Sequence, residues 1–128
     1  MIAAWNADDL EAALEVIHPE AELDFRDTDE ALFPGLNELY RGHEGFRSWW
    51  HEIKEPFEYW RSEARRFICE GDRVVAPVHF EAKGKSSGVD VELDLVDVWT
   101  VRGGVIVRFQ AYASLEEALE ATGISDPG

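Results

Sequence analysis

Four runs of alternating residues, separated by turns too short for any crossover, fill this chain from Phe57 to Ala113. The turns are Glu70-Gly71-Asp72, Gly84-Lys85-Ser86-Ser87-Gly88 and Arg102-Gly103-Gly104. Strands joined that closely pair antiparallel. The pattern therefore predicts a meander with strands over Phe57–Cys69, Val74–Lys83, Val89–Val101 and Val105–Ala113.

Ahead of the meander the period changes. Leu10, Ala13, Leu14 and Ile17 recur at helical spacing, with Asp8 and Glu11 placed as a capping box and Pro19 expected to stop the helix. Ala21, Leu23 and Phe25 then alternate with Glu22 and Asp24 as a half-buried strand. A second helical stripe, Phe46, Trp49, Trp50 and Ile53, ends before Pro56. Between them, residues 27–42 mix Asp27, Asp29, Pro34, Gly35 and Gly42 with Leu32, Phe33, Leu36, Leu39 and Tyr40, which reads as a lid or short helix over a core. Ser114 caps a closing helix over Leu115–Ala121. Helices followed by a meander make an α+β domain with the helices on one sheet face. Residues 1–128 fit one such domain.

Parity sorts the two faces. Val74, Ala76, Val78, Phe80 and Ala82 share one side of their strand, as do Val91, Leu93, Leu95, Asp97 and Trp99, and Val105, Val107, Phe109 and Ala111. Asp97 is the one polar residue in these inner rows. The outer parity carries Val96, Val98, Ile106 and Tyr112 beside Asp94, Arg108 and Gln110. An outer face that apolar needs a cover, and with no helix left over, a second copy of the chain is the economical one. A homodimer through the outer sheet face is expected.

The net charge of −15, from 27 acidic and 12 basic residues, repels phosphate backbones and anionic lipid, so neither nucleic acid nor membrane is an expected partner. Lys54, Lys83 and Lys85 are the only lysines, which fits either salt adaptation or a genomic codon bias. No apolar run approaches a membrane span, and the first residues lack a signal peptide's basic start and apolar stretch. A cytoplasmic location is the expectation. The single cysteine, Cys69, excludes an internal disulfide and reads as a buried packing thiol.

Four stretches carry a family resemblance: Ala4-Trp5-Asn6-Ala7-Asp8-Asp9-Leu10-Glu11-Ala12, His18-Pro19-Glu20-Ala21, Tyr40-Arg41-Gly42-His43-Glu44-Gly45, and Val98-Trp99-Thr100-Val101-Arg102-Gly103-Gly104-Val105-Ile106-Val107-Arg108. In order and spacing they resemble the SnoaL-like group of the nuclear-transport-factor-2-like superfamily, over nearly the whole chain. The resemblance implies a cystatin-like cone: a curved, mixed-to-antiparallel sheet wrapped around helices with an internal pocket, often dimeric. It does not imply one activity, because the fold hosts isomerases, cyclases, hydrolases, dehydratases and binding modules.

Within that resemblance, Leu93-Asp94-Leu95-Val96-Asp97-Val98 is similar to a strand of ketosteroid isomerases, with Asp97 at their oxyanion-binding aspartic acid. Such a carboxyl is held neutral by apolar surroundings and donates a hydrogen bond to a developing enolate, a case for which that family is the standard example. The plainer alternative is a buried acid paired with an arginine or backbone donor. Limonene-epoxide-hydrolase-like relatives use an aspartate–arginine–aspartate set converging on a water, for which Asp97 is a candidate member and Arg66 the candidate arginine. The isomerase general base falls on Phe25, and no acid stands in Phe109-Gln110-Ala111-Tyr112, where cyclase relatives place theirs. Asp97 is thus the single catalytic candidate. Trp99, Tyr40, Phe25, Phe33, Phe80, Leu95 and Phe109 are candidate pocket residues, suited to a small, largely apolar molecule, ring-containing ones included. His18, His43, His51 and His79 follow no metal-ligand spacing in sequence, and no phosphate loop or nucleophile motif is present, so no metal or cofactor is expected.

Overall fold

The computed structural model describes residues 1–29 and 35–126. Helices α1 (Ile2–Asn6) and α2 (Leu10–Glu15) lead into strand β1 (Ile17–Asp24), strand β2 (Leu39–Arg41) and helix α3 (Gly42–Lys54). The meander is β3 (Phe57–Ala64), β4 (Ile68–Glu70), β5 (Arg73–Gly84), β6 (Asp90–Arg102) and β7 (Val105–Tyr112), closed by α4 (Leu115–Thr122). All seven strands form one sheet in the order β2-β1-β7-β6-β5-β3, with β4 on β5. Every pair is antiparallel except β1 with β7, so the sheet is mixed. Register shifts in β1–β7, β3–β5 and β6–β7 bend the strands, as bulges do. The helices α1 to α3 fill the concave side, and the curved α+β cone is as expected.

Local details differ from the periodicity in four places. The N-terminal helix divides at Asp8, which sits at a φ of 54°, and Asp9 caps α2 by accepting from the Ala12 amide at 3.1 Å. Ile17 and Pro19 belong to β1; Pro19 lies in the irregular stretch of the β1–β7 pairing, where its missing N–H costs no ladder bond. The strand expected over Phe57–Cys69 breaks after Ala64. Ala64 faces Val78 and Ile68 faces Val75, so four steps along one strand match three on the other and the chain kinks. That kink leaves the Cys69 thiol exposed, not buried as expected. Tyr40 lies in β2, antiparallel to Leu23 of β1, while Phe33 lies outside the described residues.

The bulge at Thr100/Val101 also reverses part of the β7 parity. Ile106 pairs with Val101 and joins the concave core, whereas Arg108 pairs with Thr100. On the convex side, Val75, Val96 and Val98 are buried against Ala118 and Ile124, with Leu115, Leu119 and Tyr112 around them. The chain's own C-terminal helix therefore covers much of the outer apolar surface, which overturns the premise that only a second copy could do so. Burying each valine is worth about 1.5–3 kcal/mol.

Candidate active site

A cavity of about 530 Å³ opens between the concave sheet and the helices, within the range typical of small-molecule sites. Val78, Phe80, Leu93, Leu95, Trp99 and Phe109 line it from the sheet. Met1, Ile2 and Trp5 of the N-terminal segment and Trp49 and Ile53 of α3 line it from the other side. Asp97 stands in this wall, in the middle of β6.

Its neighbours explain its chemistry. Across the ladders Asp97 faces Ala76 on β5 and Ala111 on β7. Two methyl groups can neither donate a hydrogen bond nor fill the space over the carboxyl. The residue is about nine-tenths buried, at 9% exposure. Among the described residues it has no hydrogen bond or ion pair, and burial alone raises its pKa from 3.8 to about 7. Arg66, the candidate partner, is instead paired with Asp126. A carboxyl stripped of water and offered no counterion keeps its proton.

Asp24 shows the opposite outcome in the same molecule. It is as buried, yet it accepts from Arg26 through both oxygens at 2.9 Å and from Arg108 at 2.8 Å. The Arg26 hydrogen bond, above all, lowers its pKa to about 2. It does not line the cavity. One buried acid is saturated and structural; the other is idle.

Of the expected pocket residues, Trp99, Phe80, Leu95 and Phe109 line the cavity, while Phe25 and Tyr40 do not. Phe25, fully buried, stacks on Trp49 at 5.6 Å and meets Phe109 edge-on at 5.4 Å, so it supports the lining from behind. Tyr40 donates its hydroxyl to Glu52 at 2.8 Å, and Glu52 lines the cavity. Burial and that carboxylate push the Tyr40 phenol far up, so it stays protonated.

Sequence reasoning missed the N-terminal wall and the device that fixes it. Lys54 is buried with its ammonium over three indoles, 4.1 Å from the Trp5 ring centre, 3.7 Å from Trp50 and 4.5 Å from Trp60. It donates to the Trp5 carbonyl at 2.8 Å and to Asp8 Oδ1 at 3.1 Å, and Trp60 Nε1 donates to the same carbonyl at 3.0 Å. Cation–π attraction and these bonds hold α1 against α3 and β3, and so keep Trp5 in the pocket wall. Burial lowers the Lys54 pKa to about 8. A lysine in the last turn of a helix reads as surface, so nothing in the sequence signals this role.

Three histidines have places away from the cavity: His18 accepts from the Glu20 amide at 2.9 Å, His43 Nε2 donates to the Ile17 carbonyl at 2.7 Å, and His51 is exposed on α3. His79 lies on the convex face of β5.

A concave mixed sheet enclosing an apolar pocket beneath its helices defines the nuclear-transport-factor-2-like class of α+β cones. Residues 1–109 match the SnoaL-like domain model, and the chain belongs to that family. Among solved structures it is similar to TerC co-crystallised with polyporic acid, at 27% identity and a TM-score of 0.75, over 96% of this chain and 92% of that one. An NTF2-like protein of unknown function from Burkholderia pseudomallei gives 21% identity and a TM-score of 0.75, over 93% and 88% of the two chains. A ketosteroid-isomerase-like protein from Catenulispora acidiphila in complex with trimethylamine gives 18% and 0.73, over 97% and 89%. No curated protein matches. Among the described residues, no helix is long and apolar enough to cross a membrane.

Proposed function

We propose that this protein binds a small, mostly apolar molecule carrying an oxygen, and that protonated Asp97 donates a hydrogen bond to that oxygen. The observation that carries the reading is the buried Asp97 carboxyl in an apolar cavity, with no hydrogen-bond or ion-pair partner among the described residues and a pKa raised by burial to about 7. A ligand whose oxygen gains negative charge during reaction, as a ketone does on enolisation, is bound more tightly at that moment than before it. One such preorganised donor contributes roughly 10²–10³ in rate. Isomerisation, cyclisation or dehydration by cofactor-free acid–base chemistry fits this arrangement, with Trp99, Phe80, Leu95 and Phe109 holding the ring or chain of the substrate. The polyporic acid of TerC, a relative at 27% identity, supports a ring-bearing ligand.

A second reading, binding without turnover, is favoured by a specific feature. Two further acids are among the lining residues: Glu52 is exposed and already holds the Tyr40 hydroxyl, and Glu92 has its carboxylate at the His79 ring. Chemistry that needs an independent base would have to find it elsewhere. Pairing of two chains through the convex surface left open by α4 is part of the proposal, and sedimentation at micromolar concentration that returned only a 14.5 kDa species would remove it. We place the protein in the cytoplasm because its exposed free Cys69 survives best in a reducing compartment.

The test uses 2-naphthol and polyporic acid as probes, titrated calorimetrically into wild type and Asp97→Asn at pH 6. The naphthol's absorption spectrum reports whether it binds as the anion. Wild type is expected to bind at least one probe, with about tenfold weakening or more in the variant. Equal affinity in both proteins would sink the role of Asp97, and no binding of either probe would count against the ring-bearing ligand.

A further inference from the structure

The convex face carries a second cluster that the pocket does not use. His79 and Glu81 are two apart on β5 and share its outer face; across the ladder His79 faces Asp94 and Glu81 faces Glu92 on β6. Two glutamates directly opposite each other repel and need a cation between them. Among the described residues their one cationic partner is the His79 ring, with Nε2 at 3.3 Å from Oε1 of each. The ring is held from its other side, where Nδ1 meets Asp94 Oδ1 at 2.8 Å. Without metal the Nε2–H faces both glutamates; an ion would displace that proton, leaving Nδ1–H donated to Asp94 and the Nε2 lone pair directed at the space flanked by the two glutamates.

That is the composition and orientation of a metal site: an imidazole nitrogen, two carboxylates, and an outer carboxylate fixing the tautomer. The separations agree. Ligands about 2.0–2.1 Å from a tetrahedral ion stand about 3.3 Å apart, as Nε2 does from each glutamate oxygen. The three ligand atoms all lie within 4.8 Å of one another, so the remaining edge closes by rotation of the two carboxylates, of which Glu92 is exposed and Glu81 half-buried. Arg65 sits 3.8 Å from Asp94, on the outer carboxylate and not on the two glutamates.

We propose that His79, Glu81 and Glu92 bind a divalent transition-metal ion of the Zn²⁺ type, with Asp94 positioning the imidazole and solvent completing the coordination. No histidine spacing in the sequence shows this, because the third ligand arrives from the neighbouring strand. A bound ion would tie β5 to β6 on the face opposite the cavity.

Zn²⁺ alone is titrated into the full chain by calorimetry, and Co²⁺ binding is followed by its visible absorption. One ion per chain is expected, with affinity weakened about tenfold or more in both His79→Gln and Glu92→Gln. His18→Gln is expected to bind as wild type does. No heat and no Co²⁺ band up to millimolar metal would overturn the site, as would binding that survives both substitutions. Thermal unfolding of each variant without metal separates loss of ligand from loss of fold.

Discussion

At the scale of single residues, two buried aspartates separate what burial does from what pairing does. Asp24, with its arginines, is stabilised as the anion, so its contribution is present above the unfolded pKa of 3.8 and is lost as pH falls toward 2. Asp97 runs the other way. Its folded pKa of about 7 exceeds the unfolded 3.8, so the folded state holds the extra proton between them and stability declines as pH rises through that window. A shift of that size corresponds to about 4 kcal/mol. Asp97→Asn cannot ionise. It is expected to match wild type near pH 4 and to exceed it by a few kcal/mol at pH 8, read from urea unfolding midpoints. A constant offset between the two proteins across that range would mean that Asp97 is solvated or paired. Lys54 has a lowered pKa for the same reason, and its buried charge is relieved as pH rises from about 8 toward 10.5. Lys54→Met is therefore expected to lack the gain in stability that wild type shows over that interval.

At the scale of elements, α4 decides what the convex face can do. Ala118 is fully buried against the apolar patch that contains Val75, Val96 and Val98, so Ala118→Asp places a carboxylate where no described partner waits. A loss of several kcal/mol is expected in chemical denaturation, and an unchanged midpoint would show that α4 does not dock there. This helix was legible in sequence, down to Ser114, whose hydroxyl accepts from the Glu117 amide at 3.2 Å. Its destination was not, because which face a short amphipathic helix covers is a tertiary fact. The antiparallel ladders and turns were equally legible, since each depends on residues close in sequence. The parallel β1–β7 pairing joins segments more than eighty residues apart, with no local signal. The site divides along the same line. Asp97, Trp99, Leu95, Phe80 and Phe109 follow from strand parity as long as no bulge intervenes. Ile106, beyond the bulge, changes face, and the wall formed by Met1, Ile2 and Trp5 depends on a buried lysine that looks like any surface lysine.

At the scale of the whole molecule, the charge of −15 is the largest electrostatic quantity. A folded chain of 128 residues behaves as a sphere of radius about 18 Å, and the unfolded chain as a coil of about 37 Å. Coulomb self-repulsion at that charge, screened at 0.15 M salt, costs roughly 8 kcal/mol folded and about 2 kcal/mol unfolded. At 1 M salt the two fall to roughly 4 and 1 kcal/mol. The folded state therefore gains about 3 kcal/mol on going from 0.15 to 1 M. Screening also weakens exposed ion pairs such as Arg41–Glu22 and Arg102–Asp72, each worth at most about 1 kcal/mol and often nothing measurable. Repulsion wins this comparison, so the urea midpoint is expected to rise between 0.15 and 1 M NaCl. Sodium chloride is the appropriate salt, because sulfate would add its own strengthening of apolar burial. A midpoint that falls with NaCl would mean that the surface pairs, and not the net charge, dominate this fold's electrostatics.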